Sequence, residues 1–236
     1  MNFCEYKYRT ESHAHTFPAS PCSEFSPERL IDLYEGLSYD TLVITNHFSY
    51  VVFEQIKGYS VLGYLDEYKR AVEYAKNKNI SVILGMEIRF KENANDYLVF
   101  GIDEAFIEKS YSYLDTTLEK FYTEMKDDKN VIIQAHPFRD GMTPMPVEFL
   151  DGVEVFNMHP NHNSRISLAA RYAQKNPGMI VSGGTDCHHP THEGAISINT
   201  KEKITDSFMF AEILKSKDFI FDISGNKIVP YKEDKK

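Results

Sequence analysis

Apolar and polar positions follow two rhythms along this chain, one with a period of two and one near 3.6, and the two rhythms take turns. Residues 5–11 read as an opening strand. Ser26-Pro27 then offers an N-cap with proline at the first helical position, and Leu30, Leu33, Tyr34 and Leu37 recur at helical spacing, with Gly36 near the end. The run 41–45 is short, apolar and β-branched, as expected of a strand buried on both faces. The same reading predicts helices over 61–78, 114–126, 164–174 and 206–215, and strands over 80–84, 97–100, 131–134, 153–156, 179–182 and 219–223. Strands alternating with helices predict an α/β chain with a parallel sheet. No internal repeat and no Gly-, Ser- or Pro-rich linker interrupts the pattern, so a single domain over 1–236 is expected.

Polar residues just past the strands change the picture. The nine histidines fall in five clusters: His13/His15, His47, His136, His159/His162 and His188/His189/His192. The helical stretches contain none. Glu87 and Asp186 sit in the same kind of place, beyond the strand-like runs 80–84 and 179–182. Histidine and carboxylate together suit a hydrolytic centre with several metal ions. Candidate ligands recurring after successive strands suggest a sheet closed into a barrel, whose active site is built at the carboxyl ends of the strands.

A lone histidine near a strand end is more often a hydrogen-bonded structural residue than a ligand. His13-Ala14-His15 is stronger evidence, because residues i and i+2 of an extended segment point to one face and can reach one ion. Asp186-Cys187-His188 repeats that spacing with a carboxylate and an imidazole.

Composition narrows the function. The formal charge is −9, and the only concentration of lysines is the tail Lys232 to Lys236, which argues against a basic nucleic-acid surface. Metal ions and a few arginines would have to hold an anionic substrate. With three cysteines (Cys4, Cys22 and Cys187) and no apolar run long enough for a signal peptide or membrane span, a reduced, cytoplasmic setting is the expectation.

The motifs His13-x-His15-Thr16, Thr45-Asn46-His47, Gly85-Met86-Glu87, Ala135-His136-Pro137 and Gly184-Thr185-Asp186-Cys187-His188, in this order, resemble the polymerase and histidinol phosphatase (PHP) domain family over nearly the whole chain. The resemblance implies a distorted seven-stranded, TIM-like β/α barrel holding two or three divalent ions (zinc, manganese or iron) for phosphoester hydrolysis by a metal-bridging hydroxide. It further implies His13, His15, Glu87 and Asp186 as ligands of a first metal, Glu87 bridging to a second held by His136, and His47 and His188 as ligands of a third. Asp186 would orient the attacking water and accept its proton, with protonated His47 or His188 assisting the leaving oxygen if the third metal is absent.

Two positions depart from the fuller pattern. Cys22 stands where many relatives place a further histidine or aspartate, and either supplies a thiolate or is a free cysteine. Asp96 stands where relatives often have a histidine, and either substitutes as an oxygen ligand or ends a loop. Arg139 and Arg165 are candidate phosphate clamps, since guanidinium binds phosphate oxygens bidentately. His159 and His162 are candidates for contact with substrate or with the ligands, while His189 and His192 read as rim residues. The reading is a metal-dependent phosphoesterase of a small phosphorylated metabolite or nucleotide. Histidinol phosphate phosphatase, nuclease or phosphodiesterase, amidohydrolase, and a metal-dependent binding or regulatory module remain as alternatives.

Overall fold

A computed structural model describes residues 2–230, so the lysine-bearing tail Lys232 to Lys236 lies outside the described residues. In chain order the strands are β1 (Tyr8–Ala14), β2 (Thr41–Ile44), β3 (His47–Ser49), β4 (Ser81–Leu84), β5 (Met86–Arg89), β6 (Tyr97–Phe100), β7 (Val131–Gln134), β8 (Gly152–Asn157), β9 (Ile180–Gly184), β10 (Ile196–Thr200), β11 (Ile220–Ile223) and β12 (Asn226–Ile228). The α-helices are α1 (Pro27–Gly36), α2 (Tyr50–Gln55), α3 (Val61–Ala75), α4 (Glu104–Ser110), α5 (Leu118–Met125), α6 (Ile166–Lys175) and α7 (Ser207–Ser216).

The strands form two six-stranded sheets, in the orders β12-β11-β10-β1-β2-β4 and β3-β5-β6-β7-β8-β9. Two expectations are corrected here. Neither sheet is purely parallel: β1–β2, β2–β4, β3–β5, β7–β8 and β8–β9 are parallel, whereas β6 runs antiparallel to both β5 and β7, and β10 to both β1 and β11. Chain length explains the β5–β6 pair, because a parallel return needs a crossover of roughly a dozen residues or more and the link from Arg89 to Tyr97 is far shorter. Pairing also does not close a barrel. The sheets meet where β2 and β4 run into β3 and β5, and again at an isolated bridge between Ala14 and Cys187.

The break between β4 and β5 falls on Gly85, whose amide donates to the Ile44 carbonyl. A Cβ at Gly85 would lie 2.8 Å from side-chain carbons of both Val43 and Thr45, so the two bent strands can nest only with glycine there. Past this bend His47 pairs with Glu87 in the second sheet. The strand-like runs therefore do not stop before their ligands, as the sequence suggested; β3 and β5 are separate short strands that carry them.

Helix starts follow the side-chain chemistry. Ser26, Ser60, Asp103, Thr117 and Asp206 each accept a hydrogen bond from a first-turn amide of α1, α3, α4, α5 and α7. In α1 the buried stripe is Pro27, Leu30, Ile31 and Tyr34, and Leu37, expected on that face, is exposed just past the helix end. This stripe packs with Leu42, Ile44, Ile80 and Val82 in one apolar cluster. A larger cluster joins Phe48, Tyr64, Phe100, Phe121, Ile133, Phe210 and Phe221. Full burial of such side chains is worth roughly 1.5–3 kcal/mol each, enough to hold the strand ends that bear polar groups. No helix among the described residues is long and apolar enough to cross a membrane.

Candidate metal centre

Strand alternation aims His13 of β1 and His15 just beyond it to one side, and both are wholly buried. His47 opens β3 and Glu87 lies on β5, side by side in register. His136 follows β7, and Asp186 and His188 follow β9. His136 and Asp186 have φ of 29° and 53°, a left-handed backbone that such residues adopt at a cost of about 1–3 kcal/mol and that recurs at functional sites.

These elements bring all seven expected ligands into one cluster. Glu87 is at its middle, with Oε1 3.2 Å from His13 Nε2 and 3.2 Å from His136 Nε2, and Oε2 2.6 Å from His47 Nδ1 and 3.6 Å from His15 Nε2. Asp186 Oδ1 lies 3.3 Å from His15 Nε2, 3.5 Å from His13 Nε2 and 3.3 Å from His188 Nδ1. Three sets of donor atoms lie within 4.8 Å of one another: His13, His15 and Glu87; Glu87, Asp96 and His136; and His15, His47 and His188. Asp96 thus joins the cluster. Its carboxylate is also forked by Arg89, with Nε and Nη2 each 2.6 Å from one oxygen.

The outward nitrogens are fixed by partners that the sequence reading missed. Glu154 Oε1 lies 2.8 Å from His13 Nδ1, its Oε2 accepts from the His136 amide at 3.0 Å, and Asn157 Nδ2 donates to both Glu154 Oε2 and Asp186 Oδ2. His15 Nδ1 meets Ser20 Oγ at 3.0 Å. With one ring nitrogen occupied this way, the other is left facing the centre, the arrangement that orients metal-binding histidines. His13 Nε2, His15 Nε2 and Glu87 Oε2 are buried with no partner of hydrogen-bonding geometry. Buried polar atoms left unpaired are costly, and the surplus of buried carboxylate and imidazole donors is a hard-to-borderline set that fits zinc, manganese or iron.

The surrounding charges act strongly on one another. Burial would raise Asp186, yet His13, His15, His188 and His136 hold it well below the usual carboxylate range. Glu87 is depressed in the same way, against its burial, chiefly by His13 and His47. Burial would lower His13, but Glu154, Asp186 and Glu87 raise it well above an ordinary histidine, while burial and the charges of His188 and His47 push His15 well below. Burial would raise the Cys22 thiol; hydrogen bonds and charge from His188 and His47 bring it down to about 6.

The remaining candidates are distributed around the mouth. A cavity of about 130 Å³ lies among Cys22, His47, Glu87, Arg89 and Asp96, and a neighbouring one of about 300 Å³ runs from His47, His188 and Asp96 to Arg139, Asn161 and His162. Arg165 does not reach either: its guanidinium is bound to the Phe138 carbonyl at 2.6 Å and to Asp140. It is a loop clasp beside α6, which corrects its reading as a phosphate clamp. His159 is stacked on His162 with ring centroids 3.7 Å apart and belongs to none of the three donor sets. His189 is partly exposed and paired with Glu24, whereas His192, expected at the rim, is buried against His159.

Comparison with known proteins places this geometry. No family model and no curated protein matches the chain. Among solved structures, one from Bacteroides vulgatus, described as a two-domain protein containing a predicted PHP-like metal-dependent phosphoesterase, aligns over 91% of this chain with a TM-score of 0.65 and 16% identity. This chain spans 64% of that protein's length. PsfC from Pseudomonas syringae aligns over 84% of this chain and 85% of its own, with a TM-score of 0.60 and 16% identity. An amidohydrolase from Chromobacterium violaceum with bound sulfate aligns over 78% of this chain and 89% of its own, with a TM-score of 0.54 and 14% identity. The chain has the fold of PHP-like proteins, as its motifs implied.

Proposed function

We propose that this protein is a metal-dependent phosphoesterase acting on a small phosphorylated metabolite. The observation that supports this best is the set of three overlapping donor groups sharing Glu87 and His15, with unpartnered buried nitrogens and oxygen turned toward each other. His13, His15, Glu87 and Asp186 would hold one ion, Glu87, His136 and Asp96 a second, and His47 and His188, with Cys22 beside them, a third. Divalent ions bound there would lower the pKa of water toward neutrality and neutralise phosphoryl charge.

The chain's own groups supply the rest. Asp186 is held ionised by its imidazole neighbours; Asn157 fixes Oδ2 and leaves Oδ1 among His13, His15 and His188, where it would orient an attacking water and take its proton. His47 and His188, both on the wall of the larger cavity, are raised despite burial, His47 chiefly by Glu87 and His188 by Cys22 and Asp186. With the third position free of metal, either would donate a proton to a departing oxygen. Arg139, three residues beyond His136, lines the same cavity and would offer its guanidinium as a contact for substrate.

The test is a hydrolysis screen over phosphomonoesters and phosphodiesters, with zinc, manganese and iron each returned to metal-free protein. Turnover of at least one monoester, abolished by chelator and restored by one of these metals, is expected. Absence of turnover with every metal, in protein shown to be loaded, would overturn the proposal.

A further inference from the structure

The cavity wall carries two arginines in different electrostatic settings, and they divide the cavity into two ends. Arg89 lines both the small and the large cavity and lies next to Glu87 and Asp96. Its bidentate pairing with Asp96 uses two of the five donors of a guanidinium, and the side chain is still 36% exposed. Asp96 is only 2% exposed. The carboxylate therefore anchors one edge of the fork inside the protein and leaves the other edge facing the cavity beside the donor cluster. A guanidinium locked in this way has already lost its rotamer freedom before a ligand arrives.

Arg139 is placed differently. It lines only the large cavity, away from Glu87, and has no ion-pair partner among the described residues. Its charge acts on His162, whose pKa is lowered first by burial and then by Arg139, so His162 is a neutral donor or acceptor beside a fixed cation. Asn161 adds a carboxamide from the same loop. The lining of the larger cavity contains no aliphatic or phenyl side chain.

From this arrangement we infer that the substrate bears two anionic groups: Arg89 grips the phosphoryl group at the donor cluster, and Arg139 with Asn161 and His162 grips a second carboxylate or phosphate. The inference rests on the phosphoesterase reading for the identity of the first group. It narrows the substrate to a compact, doubly anionic monoester, because two guanidinium-bearing side chains line the cavity with no aliphatic or phenyl side chain between them to receive a lipid-like alcohol portion, and a 300 Å³ space holds a few-carbon molecule.

Direct binding distinguishes the two levels. Metal-loaded protein is titrated calorimetrically with phosphoglycerate, which adds a carboxylate, and with glycerol phosphate, which does not, and hydrolysis of both is followed separately. Phosphoglycerate is expected to bind about tenfold or more tightly, as for one charge-assisted contact. Arg139→Gln should bring the two affinities together, with Arg139→Lys intermediate, whereas Arg89→Gln should weaken both in parallel. Equal affinities in the wild type, or a preference that survives Arg139→Gln, overturns the inference even if both esters are hydrolysed. A preference that depends on Arg139 without hydrolysis of either ester upholds two-anion recognition and counts against the phosphoesterase reading.

Discussion

The two oxygens of Glu87 face four different histidines, so its removal should be felt by more than one ion. Glu87→Gln keeps the shape but places an amide N–H against imidazole nitrogens; metal content by elemental analysis is expected to fall at two positions, and loss at one alone would make Glu87 a terminal ligand. Glu154 acts at one remove. It holds His13 through Nδ1 and His136 through its backbone amide, and Glu154→Gln is predicted to weaken metal binding about ten- to a hundredfold in a chelator competition, with the fold unchanged by circular dichroism. The ligands were legible because histidine and carboxylate past a strand are unusual and their spacings are chemical. Glu154 was not, because Val-Glu-Val in a strand reads as a polar residue on a solvent face, and its partner lies 141 residues earlier. Arg89 escaped for the same reason, since only the fold shows that Asp96 anchors it.

At the scale of elements, long periodic segments were readable and short ones were not. The starts of α1 and α3 fall where the sequence pattern predicts them, at Pro27 after the Ser26 cap and at Val61, yet β3, β5, β10 and β12 are too short or too polar to stand out from loops. Alternation of strand and helix suggested parallel pairing throughout, and the short link before β6 overrides it. The β11–β12 hairpin turns through Ser224 and Gly225, both at positive φ, which is the chemistry of a tight two-residue turn. One glycine here is set by proximity. A Cβ on Gly184 would come 2.5 Å from the Cβ of His13 and 2.9 Å from its amide nitrogen, atoms that cannot swing away. Gly184→Ala is therefore expected to destabilise by about 1–3 kcal/mol in urea unfolding and to displace the first ligand pair, so that metal content falls as well. Gly36→Ala, with open space around its Cβ, should be neutral or stabilising by up to about 1 kcal/mol.

For the molecule as a whole, the centre is assembled from both sheets: His13 belongs to the first, His47 and Glu87 to the second, and His136 and Asp186 follow strands of the second. Buried carboxylates and imidazoles that lack partners make the metal-free protein costly to fold, so bound ions should contribute directly to stability. At least two ions per chain are predicted by elemental analysis. Chelation should lower Tm, with each ion worth roughly 2.7 kcal/mol when free metal exceeds its Kd a hundredfold; an unchanged Tm would make the centre incidental to folding. Neither the incomplete closure nor the meeting of the sheets could be read from local patterns, because both depend on where strands far apart in sequence end. Between Ala14 and Cys187 the first sheet is joined to the segment after β9 by one isolated backbone bridge, with the His15 amide donating to Cys187 and the Cys187 amide to His13. That narrow seam runs directly beneath the ligands. An ion gripped from both banks would work there as a rivet, so the lifetime of the closed seam, and with it the protein's resistance to proteases that need a parted edge, would be governed by how slowly the metal leaves.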